Sequence, residues 1–164
     1  MHSRLLSPNH LLGFDSMRGP VTHNSPPTEV ADHYFCQALA LAFYWQLDQR
    51  DYQAMRGLMH DDGEWHRQGN VLTLDTLIPE LSKRPVTLLT HHLLSNFQSA
   101  TIQPGVRKAV GYLTVYRHDG GVPIDGPAPL GTPAAIQSWR GEFREDVEGW
   151  RISLIAGTRT WAAV

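Results

Sequence analysis

Residues 88–118, LLTHHLLSNFQSATIQPGVRKAVGYLTVYRH, decide the architecture. Two runs rich in β-branched, aromatic and leucine residues flank Pro104-Gly105, a pair that turns the chain sharply. They read as long strands, Leu88 to Ile102 and Val106 to His118. So short a connection leaves no room for a crossover, so the two strands must be antiparallel. A second pair follows the same plan, Ala134 to Glu145 and Trp150 to Trp161, turned at Glu148-Gly149.

Upstream the periodicity is helical. From Glu29 to Gln49 residues fall on two stripes, one near Val30, Tyr34, Leu41, Trp45 and Asp48, the other near Phe35, Leu39 and Ala42. A helix apolar on so much of its circumference needs cover on more than one side. Ser25 or Thr28 can cap it. Asp51 can cap a second, short helix through Met59. Asp61-Asp62-Gly63 reads as a turn, Glu64 to Arg67 as a short strand, and Asp75 to Lys83 as a third helix ended before Pro85. The order ααβαββββ predicts an α+β domain with helices on one face of a curved, mainly antiparallel sheet.

Two segments fall outside that scheme. Residues 1–27 lack periodicity and end in Asn24-Ser25-Pro26-Pro27, so a flexible arm is expected before one domain over residues 28–164. Eight of the fourteen residues from Gly120 to Pro133 are glycine or proline, which rules out regular structure and leaves a lid or a hairpin tip.

Composition narrows the function. A chain of 164 residues suits one domain with its own core, and no apolar run approaches the length of a membrane span. A net charge of −2 supplies no basic field for nucleic acid or anionic lipid. The single cysteine, Cys36, lies inside the first helix, where a free thiol packs as a small hydrophobe. One cysteine and the absence of a signal-peptide pattern, with Ser7-Pro8 directly after Leu5-Leu6, point to the cytoplasm. Metal signatures are absent: no His-Glu-x-x-His, and no second cysteine for a thiolate site. Nor is there a phosphate loop, a dinucleotide glycine pattern or a Gly-x-Ser-x-Gly elbow, so no cofactor is expected.

The polar residues at the junction of helices and sheet remain. Asp48 falls in the last turn of the first helix, where the negative helix end disfavours a carboxylate. Either it is solvated near Arg50, or it faces a pocket and holds an imidazole. His91 and His92 are neighbours on a strand, so they point to opposite faces. Parity groups His92 with Leu94, Asn96 and Gln98, and favours His92 on the polar, pocket-lining side. His66 is a further histidine beside that junction. Tyr112, Tyr116, Trp139, Phe143, Trp150 and Trp161 load the later strands with aromatics, and a sheet face so rich in them calls for a partner subunit, a homodimer or higher homo-oligomer.

Asp48-Gln-Arg-Asp51-Tyr52, Trp65-His-Arg67-Gln-Gly69, Arg84-Pro85, His92-Leu-Leu-Ser-Asn96 and Gly149-Trp150-Arg151-Ile152 follow one another in an order that resembles the SnoaL-like branch of the NTF2-like, cystatin-like superfamily. The similarity spans residues 29 to 161. It implies a cone of three helices and a strongly bent sheet around a deep apolar pocket. In dehydratase-like members an aspartate at the end of the first helix pairs with a strand histidine, and the matching positions here are Asp48 and His92. Those members carry a tyrosine beside that aspartate or one turn earlier; here Leu47 is adjacent and Tyr44 is one turn earlier.

The expectation is a cofactor-independent dehydratase or isomerase for a small hydrophobic cyclic carbonyl compound. Asp48, His92 and Tyr44 are its catalytic candidates, and Trp65, His66, Asn96, Tyr112 and Trp139 its substrate-binding ones. The alternative is a non-catalytic ligand-binding module or a structural subunit like the small subunit of ring-hydroxylating dioxygenases, which has a similar histidine-to-asparagine strand motif.

Overall fold

The structure, a computed structural model, describes residues 24–162. Most of the expected arm, residues 1–23, lies outside the described residues, and its last residue, Pro27, already belongs to the first helix. Helix α1 runs Pro27–Gln49, α2 Tyr52–Gly57 and α3 Leu74–Leu81. Strands β1 Met59–Arg67, β2 Asn70–Thr73, β3 Leu88–Gln103, β4 Val106–Asp119, β5 Ala135–Asp146 and β6 Gly149–Ala162 form one sheet in the order β2-β1-β6-β5-β4-β3. Neighbours are antiparallel except β1 and β6, which run parallel. The chain is therefore α+β, with a curled six-stranded sheet and three helices. No helix among the described residues is long and apolar enough to cross a membrane.

Local readings shift in three places. Asp61-Asp62-Gly63 is not a turn but a kink within β1, where pairing to β6 slips between Met59 and Glu64. Gly63 is needed for close approach: a Cβ there would stand 2.8 Å from the His60 carbonyl oxygen and 3.0 Å from that of Ile152. The real turn comes at Gln68-Gly69, both at positive φ, which folds β1 onto the short strand β2 that periodicity missed. The element order thus gains a strand, ααββαββββ. Helix α1 opens on Pro27 with Pro26, rather than the expected Ser25 or Thr28, as its cap residue.

Helix α1 lies against β3 and β6 with Cys36, Ala40, Phe43, Tyr44 and Leu47 buried at the i, i+4, i+7, i+8, i+11 spacing of one helical face. They meet Met59, Trp65, Phe97, Trp139 and Ile155 in a single core, each such side chain contributing roughly 1.5–3 kcal/mol on burial. Its other apolar face, with Tyr34, Phe35, Leu41 and Trp45, stays exposed in the single chain. The described residues supply cover on one side only.

Two devices set the site. Arg50, in the left-handed conformation at the end of α1, turns its guanidinium away from Asp48 and onto the carbonyls of Arg84, Pro85 and Leu88. It fixes the approach to β3 against the helix end. Within β3, Asn96 has a φ of 53° and the ladder to β4 skips between Ser95 and Gln98. That bulge reverses the strand's facing: Thr90, His92 and Leu94 point inward before it, Phe97 and Ser99 after it. Gly111 on β4 makes room, since a Cβ there would lie 2.8 Å from the Ser95 carbonyl oxygen.

Candidate active site

Asp48 and His92 meet where α1 ends over the inward half of β3. Asp48 Oδ1 accepts from His92 Nδ1 at 2.6 Å and from the Thr90 hydroxyl at 2.8 Å. Oδ2 accepts the backbone N–H of His92 at 2.8 Å. The carboxylate is 7% exposed and the imidazole 11%, so neither bond competes much with water. Three donors resolve the unfavourable placement at a helix C-terminus, a penalty of about 0.3–1 kcal/mol. Hydrogen bonds to a charged group are worth roughly 1.5–3 kcal/mol each, which outweighs it. Burial opposes the Asp48 charge, but the His92 ring, the His92 N–H and Thr90 prevail and hold the carboxyl below its ordinary range. An ionised carboxylate can only accept, so Nδ1 carries a proton, and in the neutral ring the lone pair is then on Nε2. Thr90 is held in turn by Arg84, whose Nη2 donates to it at 2.6 Å and whose Nη1 reaches the Leu47 carbonyl at 3.3 Å.

Tyr44, one turn before Asp48, stacks on the His92 ring with centroids 5.2 Å apart and planes 23° from parallel. Its hydroxyl accepts the Trp139 indole N–H at 2.9 Å, which leaves its own proton free to donate. Burial pushes the phenol above its ordinary value, the Trp139 bond partly offsetting this and the Asp48 charge adding to it. Tyr44 is thus a fixed, neutral donor.

These residues border a cavity of about 180 Å³. Tyr44, Leu47, Trp65 and Leu113 form its buried part, with Thr90 and His92 on one wall. Gln68, Arg117 and Arg159 are exposed at its rim, and Arg67, Arg84 and Gln137 stand between. The wall is more polar than the deep apolar pocket that the resemblance implies. Gln137 folds over Gly157, where a Cβ would come within 2.3 Å of its amide oxygen. Among the described residues no group of three or more His, Cys, Asp or Glu side chains is placed to hold a metal ion.

Asp48, His92, Tyr44, Trp65 and His66 therefore gather at one place, with the His66 Nε2 bonded to Glu64 at 2.7 Å. Three of the expected substrate-binding residues do not. Asn96 occupies the bulge and is exposed, because the strand reverses there. Tyr112 alternates with the inward Leu113 and is 43% exposed on the opposite sheet face. Trp139 is buried behind Tyr44 and outside the cavity wall, where Gly141 leaves space for its indole. Residues 120–133 contribute nothing to the cavity; only Ala134, at the end of that loop, reaches its edge. Thr90, Gln137 and the four arginines were missed. Arg67 lies two residues beyond Trp65, Thr90 two before His92, and Arg117 four beyond Leu113, so strand parity carried the signal.

No protein-family model matches the chain, and no curated protein matches it in sequence. Solved structures do. A candidate scytalone dehydratase from Novosphingobium aromaticivorans superposes with a TM-score of 0.66 at 12% identity, covering 83% of this chain and 89% of its own. The hexachlorocyclohexane dehydrochlorinase LinA-type3 of Novosphingobium barchaimii gives 0.65 at 14%, covering 82% and 90%. An NTF2-like protein with a cystatin-like fold, also from Novosphingobium aromaticivorans, gives 0.61 at 16%, covering 86% and 94%. The chain has the NTF2-like, cystatin-like fold. At these identities the likeness extends to the fold alone. Within the NTF2-like frame, α1 and β3 bring the acid and the imidazole together from different layers.

Proposed function

We propose that this chain is a cofactor-independent lyase or isomerase acting on a small cyclic carbonyl compound. The observation that carries the reading is the buried Asp48–His92 pair, whose Nδ1 is committed to the carboxylate while the ring lines the cavity. Nε2 of His92 removes a proton from the carbon next to the carbonyl, and the electron pair moves onto the carbonyl oxygen. Asp48 keeps the tautomer and stabilises the imidazolium that forms. The Tyr44 hydroxyl donates to the developing enolate oxygen. Return of the proton from Nε2 to a leaving hydroxyl on the adjacent carbon releases water and gives a dehydration. Return to a different carbon gives an isomerisation. Two of the structural neighbours bear names of elimination enzymes, a dehydratase and a dehydrochlorinase, which supports proton removal as the shared first step.

A second copy of the chain covers the sheet face opposite the helices. Leu93, Thr114, Ile136 and Trp161 pair across four strands to form one row on that face, with Leu93 55% and Trp161 72% exposed. A reducing cytoplasmic setting suits the one buried thiol.

The catalytic reading is tested by incubating the protein with cyclic ketones and β-hydroxyketones in deuterated water and following exchange and elimination by NMR. His92→Ala is expected to lower the rate about 10²-fold or more while the chain still folds, at a lower melting temperature because Asp48 loses one of its three donors. Equal rates in the two proteins would leave a non-catalytic module in its place.

A further inference from the structure

The cavity carries a charge that proton transfer does not use. Arg67, Arg84, Arg117 and Arg159 line it with His66 and His92, and no aspartate or glutamate does. Arg67 is half-buried, its guanidinium 5.5 Å from the centre of the Trp65 ring. The side chains of Arg67, Arg117 and Arg159 have no hydrogen-bond or ion-pair partner among the described residues. Arg84 is anchored to Leu47 and Thr90, yet its buried Nε has no partner.

Nearby acids are already engaged. Asp48 holds His92 and Thr90, Glu64 holds His66, and Asp119 accepts from Thr87 and the Gly121 N–H. Three arginines elsewhere are neutralised, Arg107 by Glu29, Arg144 by Asp62 and Arg151 by Asp146; Arg50, Arg56 and Arg140 have no acidic partner among the described residues but do not converge on one space. Global charge does not explain the cluster either, since the whole chain carries −2. Burial first, then the charges of Arg84 and Arg117, hold the Arg67 guanidinium below its ordinary range.

We propose that the substrate bears a carboxylate, bound at the inner wall by Arg67 beside the fixed charge of Arg84, and drawn in from the rim by Arg117 and Arg159. A guanidinium presents a planar fork of donors that matches the two oxygens of a carboxylate, and a cleft lined by one sign of charge concentrates the field. The substrate's ring rests on Trp65 and Leu113, its carbonyl toward Tyr44 and His92. This rests on the catalytic reading above and narrows it from a neutral hydrophobic compound to an acidic one.

Calorimetric titration with benzoate, benzamide and phenyl phosphate tests it on the wild-type chain and on Arg67→Gln, Arg159→Gln and His92→Ala. Benzoate is expected to bind at least about tenfold more tightly than benzamide, and less tightly as salt is raised. Arg67→Gln is expected to erase that preference and leave benzamide unchanged; Arg159→Gln, at an exposed position, weakens it without affecting the fold. No benzoate binding, equal binding of benzamide, or a preference that survives Arg67→Gln would overturn the proposal. Tighter binding of phenyl phosphate would overturn the carboxylate assignment in favour of a phosphate ester. His92→Ala is expected to keep the benzoate preference. Anion binding without proton abstraction in the wild type would therefore remove the catalytic reading alone, and turnover of neutral carbon acids without anion preference would remove this one alone.

Discussion

Asp48 grips His92 at two points, its Oδ2 on the backbone N–H and its Oδ1 on the ring Nδ1. One carboxylate therefore sets both where the strand lies against the helix end and how the imidazole is turned. A group with both duties has effects on stability and on rate that can be measured separately.

For stability the sign follows from the direction of the shift. The folded carboxyl of Asp48 lies below its ordinary value of 3.8, so the folded chain binds that proton less readily than the unfolded chain. Its contribution is complete above the ordinary value and is lost as pH falls through the lower, folded one. Asp48→Asn is expected to flatten the acid limb of stability in urea titrations at stepped pH. It is also expected to reduce turnover about 10²-fold at neutral pH by releasing the tautomer. A variant as acid-sensitive as the parent would dissociate Asp48 from the acid transition.

Tyr44→Phe keeps the stack on His92 but leaves the buried Trp139 N–H without its acceptor. The expected loss is about 1–3 kcal/mol of stability. Without the donor to the enolate, turnover is expected to fall by roughly 10²-fold. Trp139→Phe removes the other end of that bond while leaving the phenol in place. It should therefore destabilise the chain while sparing more of the rate, as denaturant titrations and progress curves on both variants will show.

Asn96 tests the bulge. Asn96→Gly is expected to be tolerated, since glycine adopts positive φ without strain, whereas Asn96→Val is expected to cost about 1–2 kcal/mol. If valine were accepted without loss of melting temperature, the left-handed backbone at this position would be wrong.

Cys36 is fully buried in α1, and burial above all pushes its thiol up to about 12. The folded protein should resist iodoacetamide at pH 8 and react stoichiometrically in denaturant, as intact-mass spectrometry can record. Rapid labelling of the native chain would mean that the helix opens readily.

What could be read from the sequence was whatever local signals and their order specify. Pro104-Gly105 carried the first hairpin. The second turns at Val147-Glu148, one residue before the expected pair, with Gly149 opening β6. The order of motifs holding Asp48 and His92 carried their pairing through a family resemblance. Asp61-Asp62-Gly63 misled because its composition is that of a turn, while part of the crowding that demands Gly63 comes from the Ile152 carbonyl on β6, distant in sequence. Asn96 misled for a related reason. Alternation assumes an unbroken ladder, and one left-handed residue exchanges the faces of everything beyond it. Arg67, Arg117 and Arg159 lie on strands and were overlooked because charged residues there are usually solvated, while Arg84 lies between α3 and β3 where parity says nothing; only the assembled cavity shows the four lining one space.

The reversal within β3 has a consequence for how such a chain can change. Upstream of Asn96 the strand serves chemistry and downstream it serves packing, with a single residue as the switch between the two vocabularies. Thr90 and His92 are tied to Asp48 on one side of it, while Phe97 and Ser99 anchor the interior on the other. Deleting one residue between them would put Phe97 outdoors and forfeit both halves together, so lineages sharing this frame should differ far more in what borders the bulge than in whether they have one.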